Sequence, residues 1–549
     1  MKRITSVLFA AMLLPAGAWA CTSLIAGAGA TADGSVMITY AADSHTLYGA
    51  LTSSPAADWQ PGDMRQIVEW DTGKPLGSIP QVPHTYAVNG NMNEHQLAIV
   101  ESTWGGRPEL VDTLGLIDYG TLIQLGLERA RTAREAIQVM TDLVKEYGYY
   151  SSGESFSIAD PNEVWIMEMI GKGSGRKGAV WVAIRIPDDC ISGHANHPRI
   201  HQFPLDDPEN CLYSPDVISF AREEGYFNGV NKDFSFSKAY GVLDYGALRG
   251  CEARVWSFFR RYDSNMDKYL RYLEGESETP FPLYIRPSRK LTLREMKDAM
   301  RDHFDGTPYD MHNDIGGGPF YAPYRFRPMT FEVDGKVYLN ERAIATQQTG
   351  FTLVAQMRRN LPDAIGGIQW FGVDDANTCV YVPMYCSVTE VPLCFSPENG
   401  SMYEFSWTSA FWVHNWVANM AYARYNQMIG DIRTVQEELE NGFENSIATV
   451  DSTALALYNQ NPAEAVAYLT RYSNDAAMNS TARWKKLGEF LMVKFLDGNI
   501  KAQNPDGTFR TNDYGMPDGV IFPGYSREYY EDVVRRTGDK FLQKEINIR

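Results

Sequence analysis

Cys21-Thr22-Ser23-Leu24-Ile25-Ala26-Gly27, with Thr31-Ala32-Asp33-Gly34 and Ser35-Val36-Met37-Ile38-Thr39-Tyr40 close behind, is the stretch from which the rest of the chain is read. Two apolar, β-prone runs joined through Asp-Gly predict a hairpin, because Asp-Gly supplies the left-handed backbone that a tight turn needs. The segment in front differs in kind: Lys2 and Arg3, an apolar run from Val7 to Leu14, then Pro15-Ala16-Gly17-Ala18-Trp19-Ala20. That order of basic end, apolar stretch and A-x-A site is the pattern of a secretory signal spanning residues 1–20. Cutting after Ala20 would leave Cys21 as the first residue, so the mature chain is expected to begin inside a sheet.

The 549 residues carry 50 Lys and Arg against 68 Asp and Glu, a net charge of −18. Such a chain has material for a large core, and its acidity argues against nucleic acid or an anionic membrane surface as a partner. No window after the signal holds the eighteen apolar residues of a spanning helix, so an exported protein, periplasmic or extracellular, is expected. Export implies an oxidising compartment. Of the seven cysteines, at 21, 190, 211, 251, 379, 386 and 394, Cys21 is the natural unpaired one, and the other six allow up to three disulfides. No C-x2-C pair suggests zinc.

Thr132 and Glu135 ahead of Ile137, Met140 and Val144, with Gly148 as the stop, predict a helix. Ser155–Asp160, Val164–Ile170 and Ala179–Ile186 read as adjacent antiparallel strands. Further strands are expected near Val333–Leu339, Gly367–Val373 and Cys379–Pro383. Beyond about Glu404 the periodicity is helical, through Phe405–Met428, Val435–Tyr458, Pro462–Tyr472 and Thr481–Leu496. No linker separates the parts. The expectation is one α+β catalytic body, residues 21–403, with a mainly helical extension, 404–549, packed on the same unit.

A cysteine at a mature N-terminus carries a thiol of pKa about 8.5 and an α-amine of pKa about 7.7 to 8 on one residue. The amine can take the thiol proton and later return it to a leaving amine, so no histidine is needed. The rival reading is a lipid anchor, but Trp19 stands where a lipobox wants a small residue.

Taken together, Cys21-Thr-Ser-Leu, Ala32-Asp33-Gly34-Ser35, Asp43-Ser44, Asn93-Glu94, His194-Ala195-Asn196 and Cys251-Glu252-Ala253-Arg254 resemble the N-terminal-nucleophile cysteine dipeptidases, peptidase family sixty-nine, over most of residues 21–400. Choloylglycine hydrolases, penicillin V acylases and acid ceramidases are distant relatives of that family. The resemblance implies a four-layer αββα fold and hydrolysis of dipeptides through a thioester on Cys21. It further implies that Asp43 holds the α-amine and thiol, that Asn93 and Asn196 serve the oxyanion, and that Arg254 supports the nucleophile's field. Superfamily relatives carry an arginine three residues before the aspartate, where this chain has Tyr40, so thiolate stabilisation is expected from Arg254 or another cation.

Several other features are given ordinary readings. His194, His197 and His201 are not aligned for a metal, because Pro198 breaks the helix that would align them. Gly316-Gly317-Gly318-Pro319 lacks the Gly-Lys-Ser/Thr of a phosphate loop. Asp302–Asp310 resembles a segment of the dipeptidases without separable roles. Trp407, Phe411, Trp412 and Trp416 read as helix packing, and Gln436–Glu440 as a solvated helix face. No cofactor and no metal are expected, and the partner is a small peptide substrate. The alternatives are an N-acyl amidase and a non-catalytic exported lipoprotein.

Overall fold

The two runs flanking Asp33-Gly34 pair antiparallel as expected, but Ala26 lies opposite Met37, so a long connection through residues 27–36 joins them instead of a tight Asp-Gly turn. In the computed structural model, which describes residues 21–544, β1 (Ser23–Ala26) and β2 (Val36–Asp43) pair antiparallel with Ile25 opposite Ile38, and Gly34 takes φ 77° within that connection. The signal segment at residues 1–20 lies outside the described residues. The other principal strands are β3 (Ala98–Trp104), β4 (Gly153–Ala159), β5 (Val164–Gly171), β6 (Ala179–Arg185), β7 (Ile191–His194), β8 (Thr349–Met357), β9 (Gly367–Val373) and β10 (Val382–Tyr385). The helices that matter here are α1 (Tyr119–Arg129), α2 (Ala133–Tyr147), α3 (Ala253–Arg260), α4 (Leu293–Met300), α5 (Ala410–Ala423), α6 (Tyr425–Tyr458) and α7 (Pro462–Lys494).

One sheet runs β7-β1-β2-β8-β9-β10, with the short strand Tyr284–Ile285 outside β7. The other runs β6-β5-β4-β3 and continues through short strands at Met92–Asn93, Val88–Asn89 and Ser53–Ser54. The three expected adjacent strands are β4, β5 and β6, paired antiparallel. Period-2 alternation explains how they serve two cores. In β5, Trp165, Met167 and Met169 face a cluster with α1 and α2, whereas Val164, Ile166 and Ile170 face the first sheet's cluster. The α2 helix starts as read: Thr132 Oγ1 accepts from the Glu135 N–H, and Gly148 ends it at φ 82°. The Glu135 carboxylate reaches back to the Arg131 N–H rather than to the cap residue.

The facing sheets are stitched by a polar cluster. Ser23 lies opposite His194 in register, and its hydroxyl meets that of Ser157 on β4 at 2.8 Å. The His194 ring bonds Ser102 on β3 through Nδ1 at 2.6 Å and Ser157 through Nε2 at 2.8 Å. Burial, with Arg199 and Arg254 nearby, lowers the His194 pKa to about 3, so the ring folds neutral. With an unfolded value near 6.5, its contribution to stability is lost as pH falls through that value toward 3, by about 1.4 kcal/mol per unit. His201 and His414, each lowered to about 4 chiefly by burial, act in the same direction. Urea denaturation at pH 6.5 and 4.5 is expected to give a smaller loss in His194→Gln than in wild type, by about 2–3 kcal/mol. Equal losses would remove His194 as the cause.

Several expectations are corrected. All seven cysteines are free, so the disulfides do not form. Cys379 and Cys386 instead direct their sulfurs to the carbonyls of Ala376 and Asp363 and fill the core as small apolar groups. The strand near Val333–Leu339 is a solvent-exposed hairpin, Thr330–Val333 with Lys336–Leu339, turning at Asp334-Gly335. In the C-terminal part, α6 and α7 are each a single long helix, and α7 packs on β10. Residues 499–526 contain no helix. Gln436 and Glu440 are fully buried rather than solvated. Glu440 accepts from Arg294 at 2.7 Å, Arg301 at 2.6 Å and the Tyr381 N–H at 2.9 Å. Among the described residues no helix is long and apolar enough to cross a membrane.

Candidate active site

The start of β1, the end of β2 and the middle of β3 converge on one pocket. Cys21 is 3% exposed, and its Sγ lies 3.7 Å from the hydroxyl of Tyr40. Tyr40 donates its hydrogen to Glu101 Oε1, which leaves the thiol as the donor to the phenol oxygen. Tyr40, Ala42 and Asp43 from β2, Asn91 beside the neighbouring edge, and Glu101 from β3 line the space with Cys21. Leu47, Ile123, Phe351 and Phe371 form apolar wall, and Tyr119 stands opposite, donating to Asp71 at 2.7 Å. Among the described residues that line it, none is Lys, Arg or His.

Charge in this pocket opposes ionisation of the sulfur. Burial pushes the Cys21 thiol well up, and the Glu101 and Asp43 carboxylates push the same way; the Asp43 N–H and the Tyr40 hydroxyl only partly offset them. Burial, Cys21 and Glu101 likewise push Tyr40 up, so it stays a neutral donor. Tyr40 therefore connects the thiol to a carboxylate rather than to a cation.

The five expected residues do not form one constellation. Asp43 is beside Cys21, with its oxygens held by Arg342 Nη2 at 2.5 Å and Thr349 Oγ1 at 2.6 Å. Arg254, on α3, is buried and reaches back to the nucleophile's backbone. Its Nη1 donates to the Cys21 carbonyl at 2.8 Å and to Thr22 Oγ1 at 2.7 Å, while Nη2 donates to Asn196 Oδ1 at 2.7 Å and the Ala195 carbonyl at 3.2 Å. Its contact with the nucleophile is thus a main-chain one. Asn196 takes φ 57° and donates to the Thr103 carbonyl at 2.5 Å, so it braces Arg254 beside the pocket rather than lining it.

The oxyanion role expected of Asn93 is corrected. Its amide donates to the Leu127 and Ala130 carbonyls, and its oxygen accepts from the His95 and Leu97 N–H groups. A buried amide engaged in four bonds locks a turn and has no donor left for substrate. Asn91, two residues earlier, lines the pocket.

Sequence reading missed Glu101, Glu154 and Arg342. The first had a signal: an acid following Leu97-Ala98-Ile99-Val100 is a charge inside an apolar strand. Arg342 had none, because its partner Asp43 is 299 positions away. The histidines read as non-metal have other partners: His197 lies 3.3 Å from Glu252, and His201 lies 3.1 Å from Ser235. Elsewhere, Asp305, Asp310 and His312 cluster, with the ring Nδ1 3.3 Å and 3.1 Å from the two carboxylates, distances of direct hydrogen bonding. None of the three lines the Cys21 pocket.

Comparison with known families adds the decisive observation: the model of peptidase family C69 matches residues 20–438, from the residue before Cys21 into α6. The chain belongs to peptidase family C69. Within the family it is similar to a probable dipeptidase of Latilactobacillus sakei, 26% identical over 481 residues, covering 83% of this chain and 92% of the relative. A probable dipeptidase of Salmonella dublin is 26% identical over 400 residues, covering 69% and 83%. Dipeptidase A of Lactobacillus helveticus is 24% identical over 449 residues, covering 77% and 85%.

Proposed function

We propose that this C69 chain is an exported cysteine dipeptidase with an αββα N-terminal-nucleophile fold and Cys21 as the first residue of its mature form. The observation that carries the reading is a buried sulfur in a pocket lined by the carboxyl side chains of Asp43 and Glu101, with no basic side chain among its described lining residues. Such a thiol needs a base and a cation from elsewhere, and an α-amine released at Cys21 supplies both in turn. The dipeptidase names of the relatives point to the substrate class.

In the proposed cycle the α-amine takes the thiol proton, and the sulfur attacks the peptide carbonyl carbon. The tetrahedral intermediate collapses as the C–N bond breaks, and the ammonium returns its proton to the departing amine. A thioester remains. Water, deprotonated by the same amine, adds to it, and the C–S bond breaks to give the carboxylate product and the thiol. Asn91 takes the place first expected of Asn93 as the neutral amide facing the substrate. Asn196 and Arg254 act as positioning residues on the Cys21 main chain.

The test is intact-mass analysis of exported, active protein before and after iodoacetamide. The expected result is a chain beginning at Cys21, one added carbamidomethyl group on that residue, and parallel loss of dipeptide hydrolysis. An active chain retaining a residue ahead of Cys21, or a lipidated Cys21, overturns the reading. Arg254→Lys keeps the charge but cannot bridge Cys21, Thr22, Ala195 and Asn196 together. Its kcat is expected to fall on the order of 10²-fold with KM little changed, because the nucleophile shifts while the pocket walls do not. A wild-type kcat would remove Arg254 from the machinery.

A further inference from the structure

We propose that Glu101, backed by Glu154, is the subsite that receives the free α-ammonium group of the substrate. The assignment rests on the dipeptidase reading above and names what that reading leaves open, the group that distinguishes a free amino end from a blocked one.

Four observations carry it. The two lining carboxylates are not equivalent: Asp43 pairs with Arg342, whereas among the described residues Glu101 accepts from the hydroxyls of Tyr40 and, at 3.5 Å, Thr103. Among the described residues no cation pairs with Glu101, although it is 1% exposed. A buried carboxylate without a counter-charge is costly, and one at a pocket wall next to a nucleophile is a place for a cation that arrives from outside.

Behind Glu101 stands Glu154, fully buried, with Oε2 accepting from Thr103 at 3.0 Å and Oε1 without a partner. Burial and then the neighbouring Glu101 push the Glu154 carboxyl well up. As a neutral acid it can donate to Glu101, which accounts for the orphan oxygen.

The spacing fits a dipeptide. Glu101 lies one phenol hydroxyl beyond Sγ, through Tyr40. In a dipeptide the α-nitrogen is about 2.5 Å from the scissile carbonyl carbon, from the N–Cα and Cα–C bond lengths and the angle between them. A carbonyl seated on the sulfur therefore places its ammonium within reach of Glu101. An N-acylated substrate offers a neutral amide there and leaves the carboxylate unpaired. Finally, Glu101 is one of the groups that hold the Cys21 thiol protonated. An ammonium bound to Glu101 cancels that field, so the substrate end that is recognised also eases ionisation of the sulfur that attacks it.

The experiment measures kcat/KM of wild type and Glu101→Gln on a free dipeptide and on the same dipeptide N-acetylated. Wild type is expected to prefer the free dipeptide by at least about 10²-fold. Glu101→Gln should lose that preference through the free dipeptide alone, while its Cys21 alkylates faster with iodoacetamide at neutral pH because a repelling carboxylate is gone. A variant that keeps the preference, or loses equally on both substrates as a displaced Tyr40 beside Cys21 would, overturns the subsite. If wild type cleaves no dipeptide at all, the underlying dipeptidase reading fails instead. Should the variant not fold, inhibition of wild-type turnover by L-leucinamide and by its desamino analogue decides the matter. At least tenfold tighter inhibition by the amine is expected, and equal inhibition overturns the proposal.

Discussion

Cys21→Ala is expected to lower dipeptide turnover by a factor on the order of 10⁴ or more, to the limit of detection, while leaving the fold in place. Sγ makes one side-chain contact of note, with Tyr40, and the Cys21 main chain is held independently by Arg254 and by the bridge from Thr22 to Ala41. Loss of the sulfur therefore costs about 1 kcal/mol of stability, within the usual range for a single small deletion. Cys21→Ser is also expected to be severely impaired. This pocket already opposes ionisation of a thiol, and a hydroxyl is far harder to ionise. The measurement is kcat on a free dipeptide, with N-terminal sequencing to establish correct processing and thermal denaturation to establish folding. A correctly processed Cys21→Ala that still turns over substrate removes the nucleophile.

The second large effect lies far from the pocket. Glu440 on α6 is 0% exposed and is the shared acceptor of Arg294 and Arg301, while Lys297 from the same α4 region pairs with Glu444 at 2.9 Å and lies 3.8 Å from the Trp370 ring centroid. Burial alone would raise the Glu440 carboxyl, but Arg301 and Lys297 outweigh it and hold it below its ordinary value. Glu440→Leu strands buried guanidinium charge, at an expected cost of about 3–5 kcal/mol. Glu438→Ala, two positions away, removes an ion pair to Arg483 whose members are 54% and 36% exposed, and is expected to cost no more than about 1 kcal/mol. Chemical denaturation of the pair checks the contrast. Similar small losses in both would mean that α6 is not tied to the body through this carboxylate.

Local chemistry made the first strand pair and α2 legible: the apolar β-prone runs of β1 and β2 and the Thr132 cap act within a few residues of themselves. The strands β4 to β6 were legible for the same reason, since each is bounded by its own turn signals. What was hidden depends on partners far along the chain. Gln436 and Glu440 lie four residues apart on one helix face, and that face is polar whether water or an arginine covers it. Asn93 carried a motif, but its four backbone bonds come from a turn whose shape no motif states. The cysteine count suggested crosslinks because export implies an oxidising compartment, yet whether two sulfurs meet is fixed by where strands and loops bring them. For the candidate site, Cys21 and Asp43 were readable from order and spacing, whereas Glu101 and Arg342 acquire meaning only once β3 and the chain around residue 342 are folded against β2.

The ion pairs of α4 with Glu440 also bear on where the folding unit stops. The family match ends at residue 438, two residues before the carboxylate that both Arg294 and Arg301 require. A piece of this protein trimmed at that border would keep the guanidinium groups and discard their acid, along with Asp451, which pairs with Arg358 and accepts from Tyr385 at 2.8 Å. The stretch recognisable by ancestry is therefore shorter than the stretch that must be made for the polypeptide to hold its shape, and α6 and α7 belong to the latter.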